Sequence, residues 1–253
     1  MDGRDEPWNR AVRLDVIATL FAAGGSLVWV KIFDGLASAG YLEQKLSRKI
    51  VHITTGPLFL LTWPAFGDAA YSPLCAALVP ALNACRLFAI GSGIVVDEGA
   101  VRSLSREGDN SELLRGPLYY CLAMTAATVL CWRGSAVGFT SLSLMCGGDG
   151  FADIVGRRLG GKARIPWNPK KSVAGSAAMF VAGLCMSVAF LQYFTSLGYM
   201  NADVAGSLPA LAAVAAAATL VESLPVSDKL DDNLSVPLAT YVAGFLLLGQ
   251  NAV

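Results

Sequence analysis

The sequence predicts an all-α, polytopic integral membrane helix bundle of roughly seven to eight transmembrane helices, in a single domain over residues 1–253. Three observations lead there. Charged residues make up 15% of the chain, where soluble domains carry about a quarter. Mean hydropathy is +0.54, and the apolar residues gather into runs close to the roughly twenty residues that cross a bilayer. These runs are rich in Gly and Ala and too long for barrel strands, so they read as packed helices.

Eight segments qualify in order: residues 11–30, 50–66, 70–93, 117–132, 135–148, 172–194, 208–224 and 234–249. The fifth is short and is expected to continue as helix through Ile154 to Arg158. The connections 31–49, 94–116, 157–171 and 225–233 are charged, while the three between them are short or nearly uncharged. Strict alternation puts the four charged connections on one membrane face. That face holds 14 of the 19 Lys and Arg, four lie on the other, and Arg86 sits within the third segment. The bias makes the charged face cytoplasm-like or stroma-like.

Composition also excludes functions. Net charge is zero, which argues against bulk attraction to nucleic acid. The six cysteines lie in apolar stretches without a CxxC pair, and a single histidine is too few for the usual zinc sites. They read as small hydrophobes. The first residues, MDGRDEPWNR, mix acids and bases and match neither a signal peptide nor a transit peptide. There is no Walker A motif, kinase glycine loop, HExxH or GxSxG.

Three clusters carry chemistry. The stretch GGDGFADIVGRRLGGKARIPWNPKKSVAGS, residues 147–176, sets Asp149 and Asp153 at i, i+4, hence on one helix face. Carboxylates there suit Mg²⁺, which binds through one or two acids plus substrate phosphates. The glycines at 147, 148, 150 and 156 are read as allowing close approach of a ligand. Arg157, Arg158, Lys162, Arg164, Lys170 and Lys171 supply cations for phosphate oxygens. Ser172 is expected to open the next helix, whose amides favour an anion. A second cluster, ESLPVSDKLDDN, holds Glu222, Asp228, Asp231 and Asp232, with Asn233 as a helix cap. It reads as the metal side of a nucleotide site, with Asp232 joining Asp149 and Asp153 as a ligand. The third, RKIVH, sets Arg48, Lys49 and His52 on one face, with His52 as a general base or phosphate contact. Arg86, Asn83 and Asp15 are polar within helices and are expected to face the bundle interior.

RKIVH, the long central stretch, FTSLGY and VESLPVSDKLDDNLSVPLAT resemble the polyprenol kinase family from about residue 45 onward, its phytol-acting branch most closely. The Asp, Gly-Arg and Pro-Lys-Lys-Ser pattern is also similar to CDP-diacylglycerol synthases. The resemblance implies transfer of the γ-phosphate of CTP to phytol, with Mg²⁺ as cofactor, in a chloroplast membrane and on the route to tocopherol. It implies catalytic roles for Asp149, Asp153, His52, Asp231 and Asp232. It implies nucleotide contacts from Arg157, Arg158, Lys170, Lys171, Ser172, Arg48 and Lys49. Farnesol or geranylgeraniol as acceptor, cytidylyl transfer and membrane transport are the alternatives.

Overall fold

The computed structural model describes residues 7–225 and 230–249. Ten α-helices run in order: α1 (Pro7–Ser38), α2 (Gln44–Thr62), α3 (Ser72–Gly91), α4 (Glu98–Leu104), α5 (Gly116–Leu130), α6 (Ala136–Leu142), α7 (Asp149–Leu159), α8 (Val173–Ser196), α9 (Val204–Ser223) and α10 (Asp232–Leu247). Among the described residues the only strands are β1 (Arg164–Ile165) and β2 (Asn168–Ser172), a small antiparallel hairpin. The sequence reading left this stretch as a loop. Its strands are two and five residues long and carry no run of alternating apolar residues, the pattern that announces a strand.

The fold class is the expected one. Five helices are long and apolar enough to cross a membrane: Trp8–Ser38, Ser72–Gly91, Asn110–Leu130, Val173–Ser196 and Val204–Ser223. The other three expected segments are helical but fall short of that measure. α2 carries Lys45, Arg48 and Lys49 in its first turns. α6 has only seven residues before the helix changes character. α10 has sixteen, about 24 Å at 1.5 Å per residue.

The fifth segment does continue through Arg158, by way of a wide turn. Residues Ser143–Gly148 form a π-helix that joins α6 to α7. Such wide turns are rare and concentrate at functional sites. This one is wholly buried, and α8 lies against it. A Cβ on Gly183 would stand 2.4 Å from Leu144, and one on Gly175 would stand 2.9 Å from the carbonyl of Ala152. Small residues there let the two backbones approach, as is usual between membrane helices.

The uncharged face is held by a polar knot. Buried Asp15 accepts from the backbone N–H of Gly67 and from the Ser72 hydroxyl, both at 2.7 Å. From the other side, buried Arg133 donates to the carbonyls of Trp63, Phe66 and Gly67. Its guanidinium also meets Asp68 and lies 4.2 Å from the centre of the Tyr199 ring. The expectation that Asp15 faces inward is met. Arg133 went unremarked in the sequence, where one arginine in a short connection looks like an ordinary surface charge. Asn83 donates to Cys121 Sγ at 3.2 Å. Arg86 does not face a closed interior: it pairs with Asp97 at 2.7 Å and is half exposed. The six cysteines are all free thiols.

Replacing Arg133 with Met would leave the Phe66 and Gly67 carbonyls without the donor they have here, while the Trp63 carbonyl keeps the Phe66 N–H. We expect a loss of roughly 3 kcal/mol, read as a clear drop in melting temperature in detergent. An unchanged melting temperature would show that water satisfies these carbonyls as well as the guanidinium does.

Candidate functional site

The described parts of the four charged connections converge on one space, and specific contacts bring them together. The hairpin is pinned to the end of α9: Trp167 Nε1 donates to Ser223 Oγ at 3.2 Å, and Asn168 Nδ2 donates to the Leu224 carbonyl at 3.3 Å. This delivers Lys171, near the end of β2, to the acidic cluster. Its ammonium contacts Glu222 Oε1 closely and lies 3.2 Å from Asp232 Oδ2. Ser172 ends β2 and caps α8, its hydroxyl accepting from the Gly175 N–H at 3.1 Å. It opens the helix as expected, but its oxygen is engaged in the cap.

Across the site stands α2. Lys49 Nζ lies 3.9 Å from Asp149 Oδ2 and 3.4 Å from Asp153 Oδ2. His52 Nε2 lies 3.5 Å from Asp149 Oδ2 and 3.2 Å from the Met145 carbonyl. Both neighbours are acceptors, so Nε2 carries the hydrogen and serves as a donor. A base role for His52 through this nitrogen is therefore not available in this arrangement. The turn of α2 that bears His52 is itself unusual. Tyr120 Oη accepts from the Gly56 N–H and donates to the His52 carbonyl, each at 3.0 Å. An α-helix pairs those two groups with each other; here a hydroxyl from α5 bonds to both.

Asp149, Glu222 and Asp232 offer oxygens within 4.8 Å of one another. Two ligands on opposite sides of one Mg²⁺ stand about 4.2 Å apart, so the group needs only slight closure. Glu222 Oε2 and Asp232 Oδ1 are buried with no hydrogen-bond partner, which a cation would supply. These residues fit a divalent metal. The trio expected from the sequence has Asp153 where this group has Glu222; Asp153 lines the same cavity but is engaged by cations. Its Oδ1 accepts from Arg157 Nε at 2.8 Å, one helical turn on, and its Oδ2 faces Lys49. Glu222 takes its place. Asp231 does not join the cluster: it caps α10, accepting from the Asn233 N–H at 2.9 Å. The cap is thus Asp231 and not Asn233. Asp228 lies outside the described residues. The glycines at 147, 148, 150 and 156 also have another use. Cβ atoms there would meet Met186, Met179, Ile53 and Ser172, so they admit neighbouring elements of the chain; of the four, Gly156 also lines the cavity.

The electrostatics follow from this crowding. Burial alone would raise Asp149, but Lys49, His52 and Lys171 outweigh it and hold its carboxyl well below the usual range. Burial, reinforced by the charge of Asp149, pushes Asp232 up to about 7. Lys171 is raised despite burial, because Asp232 and Glu222 hold its proton.

All of this faces one cavity of about 1900 Å³. Arg48, Arg157, Arg158, Arg164, Lys170, Lys171 and Ser172 line it beside the acids, so the expected nucleotide contacts share one space. Arg48 also donates to the Ser105 carbonyl at 2.7 Å. Lys162 is exposed and outside that lining.

Replacing Lys171 with Met would leave Glu222 and Asp232 without their cation. In the presence of a chelator, we expect a loss of about 3 kcal/mol. Millimolar Mg²⁺ should then raise the melting temperature of the variant more than that of the wild type. Equal responses to Mg²⁺ would remove the three carboxylates as a metal site.

Comparison with known proteins gives a consistent set of relatives. The chain is 48% identical to a probable chloroplastic phytol kinase of Triticum aestivum over 235 residues, 93% of this chain and 78% of that protein. It is 46% identical to phytol kinase 1, chloroplastic, of Arabidopsis thaliana, over 93% and 77%. It is 45% identical to a chloroplastic farnesol kinase of Arabidopsis thaliana, over 84% and 68%. No protein-family model and no solved structure matches.

Proposed function

This chain belongs to the family of phytol kinase and farnesol kinase, and on that premise we propose that it transfers the γ-phosphate of CTP to the hydroxyl of phytol. It is a prenyl alcohol kinase and a multi-pass protein of the chloroplast membrane. Phytyl phosphate, the product of the proposed reaction, would feed tocopherol synthesis. One observation supports the reading above others. A single cavity joins a cluster of acids and cations to an apolar compartment among membrane helices. A water-soluble triphosphate and a bilayer-dissolved alcohol need such a meeting place.

Phosphoryl transfer asks a protein mainly for positioning and neutralisation of charge. Lys171 and Lys49 stand at the acids and can meet triphosphate oxygens, with Arg157, Arg158, Arg164 and Lys170 along the same wall. Asp149, Glu222 and Asp232 would hold Mg²⁺, which supplies charge neutralisation on the phosphates when bound. Asp153 holds Lys49 and Arg157 in place through its two oxygens. His52, donating from Nε2, orients Asp149. The alcohol oxygen attacks the γ-phosphorus, the bond to the bridging oxygen of CDP breaks, and the hydroxyl proton leaves to water or to a carboxylate of the cluster.

The test is a membrane assay with labelled CTP and phytol. Phytyl phosphate and CDP are the expected products, and release of pyrophosphate would instead mean cytidylyl transfer. Asp149→Asn keeps the shape and removes the charge, so activity should fall more than about 100-fold while the protein accumulates normally. Wild-type turnover in that variant would exclude Asp149 from the reaction.

A further inference from the structure

The cavity is larger than one ligand requires. Sites for single small molecules span about 300–1000 Å³, and this one is about 1900 Å³. Its charged end accounts for the nucleotide. The remainder runs down between α1 and α2, with α3 and α5 behind. We propose that this part is a closed-ended channel that seats the isoprenoid chain of the acceptor and measures its length. The inference rests on the prenyl alcohol kinase reading.

Two helices give its length independently. α1 lines the cavity from Asp34 to Thr19 and α2 lines it from Arg48 to Thr62. At 1.5 Å per residue these stretches are about 22 Å and 21 Å. The hydrocarbon core of a bilayer is about 30 Å thick, so the channel starts at the charged face and passes the midplane. On α2 the lining residues Arg48, His52, Thr55, Phe59 and Thr62 recur every three or four positions and form one stripe. The stripe begins with cations and loses its charge within two turns, which matches a molecule with a polar head and a hydrocarbon tail.

The far end is stopped. Thr19 is the last lining residue of α1, and its hydroxyl contacts the carbonyls of Asp15 and Cys75 at 2.7 Å and 3.2 Å. Beyond it lies the knot of Asp15, Gly67 and Ser72. A hydrocarbon tail gains nothing by entering that polar packing. The side wall is thin: α1 turns Leu20 and Val28 outward, and its Phe21 and Leu27 line the cavity while staying mostly exposed, so a lipid can reach the channel from the bilayer past this one helix.

Gly25 makes the proposal testable. It lines the channel, and a Cβ built there meets nothing within 4 Å. A larger side chain can enter without displacing its neighbours. It stands six residues from Thr19, about 9 Å, so Gly25→Phe should remove the lower part of the channel. We would compare geraniol, farnesol and geranylgeraniol, all-trans alcohols of ten, fifteen and twenty carbons, at saturating CTP. In Gly25→Phe the ratio of kcat/KM for geranylgeraniol to that for geraniol should fall by about tenfold or more. The KM for CTP should stay within about twofold, since no nucleotide contact changes. An unchanged chain-length ratio overturns the channel. A second measurement uses the wild type alone, with geranylgeraniol carrying a photoreactive diazirine at the end remote from the hydroxyl. Labelling should map to peptides containing Thr19–Gly25 and Leu58–Thr62, and labelling elsewhere overturns the assignment. Labelling there without phosphorylation of any alcohol would keep the channel and sink the kinase reading. Phosphorylation with labelling elsewhere would do the reverse.

Discussion

Everything near the charged face answers one constraint: carboxylates at the ends of membrane helices must be neutralised where water is scarce. Glu222 is 3% exposed, and Asp149 and Asp232 are mostly covered. Four acids, Asp149, Asp153, Glu222 and Asp232, meet three cations, Lys49, Arg157 and Lys171. The hairpin exists to bring one of those cations in, and it is pinned to α9 beside the acid that needs it. α2 brings another. The acids thus outnumber the cations that meet them, and the surplus negative charge stays at the cavity.

The two membrane faces use buried polarity in opposite ways. On the uncharged face Asp15 and Arg133 direct their hydrogen bonds to backbone groups of one loop and to the Ser72 hydroxyl and Asp68 carboxylate beside it. On the charged face the acids have oxygens left over, and the cations are lined along open space. The same residue types thus build a clamp in one place and a receptor in the other. What separates them is whether their partners are other parts of the chain.

Much of this was legible in the sequence. Apolar runs marked the helices, alternation of charged connections gathered them on one side, and the i, i+4 acids with the downstream lysines marked the site. The rest depended on facts that local patterns do not carry. Asp153 and Glu222 are both acids near a helix end. Only the packed structure shows that Arg157 captures the first while Lys171 meets the second. Asp231 and Asn233 are both good caps, and the choice is made by which oxygen reaches which amide. The glycines of the central stretch invite a ligand reading. Their neighbours turn out to be Met179, Met186, Ile53 and Ser172, which lie far away in sequence.

The π-helical stretch at Ser143–Gly148 bears on how such a chain can change over time. No loop separates α6 from α7, so the direction in which Asp149 points is stored in the winding of one continuous helix. Each residue of a regular α-helix advances the side chain by about 100°. A wide turn holds more residues than an α-turn, so loss of one residue with regular winding restored would leave Asp149 and Asp153 aimed much as before, whereas an added residue would swing them round together, away from Lys49. Insertions and deletions are tolerated in the connections on either face, but an insertion in this buried stretch would misaim the acids while leaving every hydrophobic run intact. The aim of these acids thus depends less on the identity of the residues in that stretch than on how many of them each turn holds.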